Sequence, residues 1–300
     1  MTKIDPDMKC APSKKYTNGS CFTLNSLQEI AKSFNKRNKN KIDINLPKEQ
    51  LVDTLETKLK DKCSDQTCWL RQDFIKAIEN ENIKEDIMDD TFRPPGPRAK
   101  YEWLSTNHIN DVIDQYHKVY PDFLYLGTVP SDFEDLPILG ISSIKFDELE
   151  KNNKHRIGLV INLDDHTQDG SHWVALFSDL KKNQIYYFDS VGKKPIKNIK
   201  RFINRVTKYL YKKKYNSILP INELVRGGTN SPYIKKLKNS NFDIRFNNIQ
   251  HQFKNSECGV YSINFIIRLV SGETFDSVIN DITKDDEMNA NRKIYFRNVN

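Results

Sequence analysis

The stretch QHQFKNSECGVYSINFII, Gln250 to Ile267, sets one cysteine between a polar approach and an apolar run of helical spacing. From Cys258 onward, Val260, Ile263, Ile267 and Val270 recur at three- and four-residue intervals, the pattern of a helix with a buried face. A structural cysteine would sit inside that run, whereas Cys258 stands at its front edge and is followed by Gly259. The first N–H groups of a helix lack intrahelical partners, and with the macrodipole they favour negative charge. A thiolate, not a thiol, is the nucleophile. The position therefore suits a reactive sulfur, and Gly259 admits close approach of another chain or a substrate backbone.

Such a sulfur needs a base, and six histidines compete: His108, His117, His155, His166, His172 and His251. His172 opens the strand-like run HWVALFSDL (172–180), which a short turn joins to QIYYFDS (184–190). If that turn closes a hairpin with a two- or four-residue loop, His172 and Asp189 share one side of the sheet, two to four residues from direct opposition. A three-residue loop would separate them. Asp189 could then orient the imidazole and stabilise its charged form. For a developing oxyanion, two donors are at hand: the Cys258 backbone N–H and the side-chain amide of Gln252, six residues upstream.

Around this segment the chain falls into two parts. Residues 1–96 read as helical, with amphipathic spacing over 22–34, 47–60 and 67–80. FRPPGPRAK (92–100) stops any helix and marks a boundary, so 1–96 is expected to be a helical N-terminal domain and 97–300 the catalytic domain. The second part holds a helix over 107–120, strands over 156–163, 172–180 and 184–190, a basic helix near 195–214, and a short strand within 241–249. That order predicts an α+β fold with a small mixed sheet.

Composition excludes other classes. No apolar stretch approaches the roughly 18 residues of a membrane span, and the N-terminus has no apolar signal core. A virion, cytosolic or nuclear location is expected by default. Five cysteines without regular spacing argue against a disulfide framework. CSDQTC offers Cys63 and Cys68 as a weak zinc pair or as two reduced thiols, with Cys10 and Cys21 unassigned.

The parts have a familiar order. His172-Trp173, Asp189, Gln252 and Glu257-Cys258-Gly259 resemble the cysteine-protease clan of SUMO-specific and adenovirus proteases, which runs His, Asp or Asn, Gln, Cys along the chain. TKDDEMNANR (283–292) resembles the helix start that closes those domains. GSHWVALFSDL, QHQFKNSECGVYS and the PGPR…LSTNHI approach are similar, more closely still, to the polyprotein-processing thiol proteases of African swine fever virus and giant DNA viruses. The resemblance implies a papain-like fold of the SUMO-protease type and no metal or organic cofactor. It implies Cys258 as nucleophile, His172 as general base and acid, Asp189 as its orienter and Gln252 as oxyanion donor. It implies cleavage of a viral structural polyprotein, after Gly-Gly, during maturation in the virion or host cytoplasm. Trp173 corresponds to an aromatic that clamps a diglycine substrate; the alternative is a core residue, since strand alternation puts it on the face opposite His172. His108 stands where that family has a second clamping tryptophan.

Two rival readings stay open. The segment 193–215 carries ten Lys/Arg and no acidic residue, a face for nucleic acid or simply a solvated helix surface. Within enzymes, the same four residues would serve a protease that removes SUMO or ubiquitin-like modifiers.

Overall fold

A computed structural model describes residues 19–63, 66–70, 72–89, 93–218, 237 and 241–296. The first part is helical: α1 (Leu24–Arg37), α2 (Lys48–Leu59), the short α3 (Gln66–Trp69) and α4 (Asp73–Lys76), and α5 (Glu81–Asp89). Thr23 caps α1 by accepting a hydrogen bond from the Ser26 N–H, and Lys36 and Arg37 occupy its last turn, where positive charge is favoured. The apolar faces of these helices meet in a cluster of their own, built from residues between Phe22 and Ile87.

One helix was expected over 67–80, but two short ones form. Gln72 is extended between them, and its side chain turns back to Cys63 Sγ and Cys68. Cys63 and Cys68 are themselves joined in a disulfide, their Cα atoms 5.4 Å apart, and Cys21 is also disulfide-bonded. The expectation of reduced thiols or a zinc pair is thus corrected: sulfurs bonded to each other offer no thiolate to a metal. Among the described residues Cys258 is the free cysteine.

The second part is built on a five-stranded mixed sheet in the order β1 (Phe123–Val129), β2 (Arg156–Asn162), β3 (Trp173–Asp179), β4 (Gln184–Phe188), β5 (Asp243–Phe246). The β1–β2 and β4–β5 pairs are parallel, and the central pairs are antiparallel. Side chains alternate between faces as the pleat requires. Trp173, Ala175 and Phe177 join one core with α6 (Thr106–Val119) and α9 (Cys258–Val270). Val174 and Leu176 join a second core with α7 (Phe146–Lys151) and α8 (Lys197–Tyr215). Three short helices close the chain over the first core: α10 (Phe275–Asn280), α11 (Asp285–Ala290) and α12 (Arg292–Tyr295). The fold is α+β, as the order of elements predicted.

Strand β1 escapes the sequence pattern because Gly127 takes φ +106° and the register slips between Tyr125 and Thr128, so the alternation is interrupted. Of the ten basic residues in 193–215, Arg201 and Arg205 pair with Glu134, and Lys213 pairs with Glu150. Part of that charge is therefore neutralised within the fold. Among the described residues no helix is long and apolar enough to cross a membrane.

Candidate active site

Helix α9 is buried almost all round, so its position is dictated by the core. Its first residue is Cys258, 2% exposed, preceded by Glu257, whose side chain makes no cap to the helix. The helix-start N–H groups are thus left uncapped by a side chain. Gly259 lies against Leu104: a Cβ there would sit 3.0 Å from the Leu104 Cβ. On this side the room that Gly259 provides is taken by the Leu104 side chain of the same chain.

The β3–β4 hairpin turns through a four-residue loop, with Asp179 paired to Gln184 and Ala175 to Phe188. Continuing that register sets Val174 opposite Asp189, and His172 two residues beyond on the same side. His172 Nε2 lies 2.7 Å from Asp189 Oδ1, and the ring stands close enough to Cys258 for the two to interact. With Nε2 committed to the carboxylate, Nδ1 is the nitrogen left for the sulfur. Burial works against charge on this imidazole, but the hydrogen bond to Asp189 and the neighbouring Cys258 outweigh it and raise the pKa to about 9.

Asp189 is fully buried and tightly held. Its Oδ1 accepts from the Val191 N–H at 2.8 Å as well as from His172. Asn247 brackets its backbone, accepting from Asp189 N–H and donating to Asp189 O, both at 2.8 Å. Gly192 follows at φ +76°, with the backbone of residues 248–250 within 3.2 Å of where a Cβ would stand. This turn therefore lies directly on the segment leading to Gln252. The Ser190 carbonyl accepts from both His251 N and Gln252 N. Ser190 Oγ donates to Gln252 Oε1 at 2.6 Å, which fixes the flip of the amide. One hydrogen of Gln252 Nε2 goes to Lys254 O, leaving the second for another acceptor.

The remaining histidines are engaged elsewhere. His155 lies between Asp122 and Asp179, His166 pairs with Asp132, and His117 packs edge-on to Phe123. His251 is buried against Phe188 and Tyr261, and burial lowers its pKa. His108 accepts from the Ser105 N–H through Nδ1 while Ser105 Oγ accepts from the His108 N–H. It is a reciprocal cap of α6, and burial keeps its pKa low. Trp173 is a core residue whose indole N–H donates to Leu104 O at 2.9 Å.

Residues outside the sequence reading hold this geometry. Arg292 Nε lies 2.9 Å from Glu257 Oε2, and both side chains are essentially inaccessible. Asn289 donates to Glu257 Oε1 and to Lys100 O, and Arg292 donates to Glu102 O and Ser256 O. Asp285 accepts from Phe253 N and Lys254 N. These residues fall in the 283–292 segment whose resemblance to a closing helix was noted, but their pairing with Glu257 leaves no local signature.

Two outcomes follow from this geometry. Arg292→Ala leaves a buried carboxylate beside the thiol uncompensated; a loss of about 3–5 kcal/mol in urea unfolding is expected, with slower alkylation of Cys258 by iodoacetamide in the folded fraction. For His172, the folded pKa lies above the ordinary value of 6.5. Its contribution to stability is complete below pH 6.5 and disappears as pH rises through about 9. A reaction that needs the imidazolium as proton donor should lose kcat/KM over the same alkaline limb. In Asp189→Ala that limb should move to lower pH; an unmoved limb would show that the carboxylate does not hold the charge.

The Ulp1 protease family, C-terminal catalytic domain, matches residues 152–299. A thiol protease of Acanthamoeba polyphaga mimivirus is 33% identical over 96% of this chain and 93% of its own length. A cysteine protease of African swine fever virus is 24% identical over 83% of this chain and 88% of its own. The crystal structure of the protease from that virus superimposes with a TM-score of 0.52 at 21% identity, covering 87% of this chain and 94% of that one. With a free cysteine at a helix start, near a histidine that an aspartate holds, the chain belongs to the Ulp1 protease family and is a cysteine-type peptidase.

Proposed function

We propose that the protein cleaves viral structural polyproteins after Gly-Gly during virion maturation, acting in the particle and the host cytoplasm. The observation that carries the catalytic assignment is the imidazole of His172, hydrogen-bonded to Asp189 and close enough to Cys258 to interact with it. The Cys258 thiolate attacks the scissile carbonyl, and the oxyanion is met by the Cys258 N–H and the free hydrogen of Gln252 Nε2. The C–N bond then breaks as the His172 imidazolium gives its proton to the leaving amine. A thioester remains. His172, now neutral, takes a proton from water, whose oxygen attacks the thioester and releases the carboxylate product and the sulfur.

Relatives of viral origin that align over most of this chain support a viral substrate. In the same reading, residues 1–96 form a domain that docks the large substrate, with 97–300 the catalytic domain. The separate apolar cluster of residues 22–87 supports that division. A second reading has its own support: African swine fever virus relatives are named as SUMO-1 cysteine proteases, which would make a ubiquitin-like modifier the substrate.

Incubation with Gly-Gly peptides and with a SUMO precursor separates the two. Cleavage of the peptides by wild type and not by Cys258→Ser, with unchanged thermal unfolding, is expected. Rapid processing of the SUMO precursor with slow peptide cleavage would favour the modifier reading, and activity persisting in Cys258→Ser would sink both. Removing residues 1–96 should lower cleavage of a polyprotein fragment far more than cleavage of a short peptide; equal losses would count against docking.

A further inference from the structure

Three aromatic side chains appear among the exposed large hydrophobics of the described residues: Phe253 at 76%, Tyr101 at 52% and Trp103 at 44%. Tyr101 and Trp103 lie about 150 residues from Phe253 in sequence, yet both stretches adjoin residues of the active site. Phe253 follows Gln252. Trp103 precedes Leu104, the residue packed against Gly259 beside the nucleophile. Tyr101 stands two residues before Trp103, just after Lys100, whose carbonyl Asn289 holds.

Their backbone is also fixed. Asp285, itself buried, holds the N–H groups of Phe253 and Lys254. On the opposite rim, Arg292 holds the Glu102 carbonyl and Trp173 holds the Leu104 carbonyl, so Trp103 is pinned on both sides. An exposed aromatic on a mobile loop is ordinary. Aromatics presented from pinned backbone next to active-site residues are placed to be covered by a ligand.

We propose that Phe253 and Trp103, with Tyr101 beside them, form a substrate subsite that takes an apolar side chain within a few residues of the scissile bond. The occupant is the substrate polypeptide, because Trp103 adjoins Leu104, which packs on Gly259 next to the thiol, and Phe253 adjoins Gln252. The subsite rests on the peptidase activity, and it is independent of whether Gly-Gly precedes the cut. Its contribution is to binding and alignment, so it selects substrates without touching the reacting atoms.

The test is cleavage of a proteome-derived peptide pool, with cut sites mapped by mass spectrometry, for wild type, Phe253→Ala, Trp103→Ala and the control Ile138→Ala, an exposed site remote from the patch in the chain. Wild type and the control should show apolar enrichment at one fixed position near the cut. Both rim variants should lose it, with kcat/KM on the preferred peptide down about tenfold, a change of ~1.4 kcal/mol. Alkylation of Cys258 by iodoacetamide should stay within about twofold if the site itself is intact. An unchanged preference in both rim variants would overturn the subsite, as would a wild type with no apolar preference at any position. So would parallel loss of alkylation, which marks a structural defect, or a wild-type dimer that the variants dissolve without any change in cut sites. The Gly-Gly reading is judged separately, from the residues immediately before the cuts.

Discussion

The buried pair of Glu257 and Arg292 fixes where the thiol stands. Glu257 is the residue before Cys258, and its carboxylate receives Arg292 and Asn289 with almost no solvent contact. The same two side chains hold the carbonyls of Lys100 and Glu102. Three chain segments remote in sequence thereby close around one carboxylate. Burying such a pair brings little net stability, because desolvation offsets the attraction. Its value is directional: the fork of a guanidinium accepts one geometry, and the thiol inherits it.

On the sheet side the constraint is of another kind. His172 stands just before β3, where alternation sends Trp173 into the α9 core and His172 to the opposite side. The imidazole nevertheless interacts with the first residue of α9 from a position just before the start of β3. Asp189 occupies the matching end of β4. Asn247 and the Gly192 turn then fold the chain back, so that Ser190 sets the orientation of Gln252. One hairpin end thus orders both the partner of the imidazole and a candidate oxyanion donor.

Much of this was legible from residue pattern. The helix behind Cys258, the parity that unites His172 and Asp189, and the α+β order all follow from periodicities of 3.6 and 2, which local sequence carries. What escaped was set by contacts without local signature. Glu257 and Arg292 are 35 positions apart, and nothing in either neighbourhood announces the other. Gly259 suggested room for a ligand, but which chain fills that room is decided by Leu104, more than 150 residues away. His108 stands where the resembling family has a clamping tryptophan, and that it also caps α6 is visible only in the fold. The Cys63–Cys68 bridge was obscured by counting cysteines across the chain, whereas proximity within one turn decides pairing.

The two kinds of force divide the work along α9. Its middle is apolar on nearly every side, and burial of that surface holds the helix between the sheet and the closing helices. Hydrophobic burial is non-directional, however, and does not oppose a slide along the axis. A slip of one residue would advance the helix by about 1.5 Å and turn it by roughly 100°, enough to carry Sγ away from the imidazole. Polar contacts at both ends prevent it. Glu257 is held at the front, and at the rear Arg268 binds Glu273 and Asp281 while Arg156, itself paired with Asp122, donates to Val270 O. The core thus makes the helix stable, and the charged ends give it its register. A thiol chemistry that depends on a single hydrogen-bond distance requires the second as much as the first.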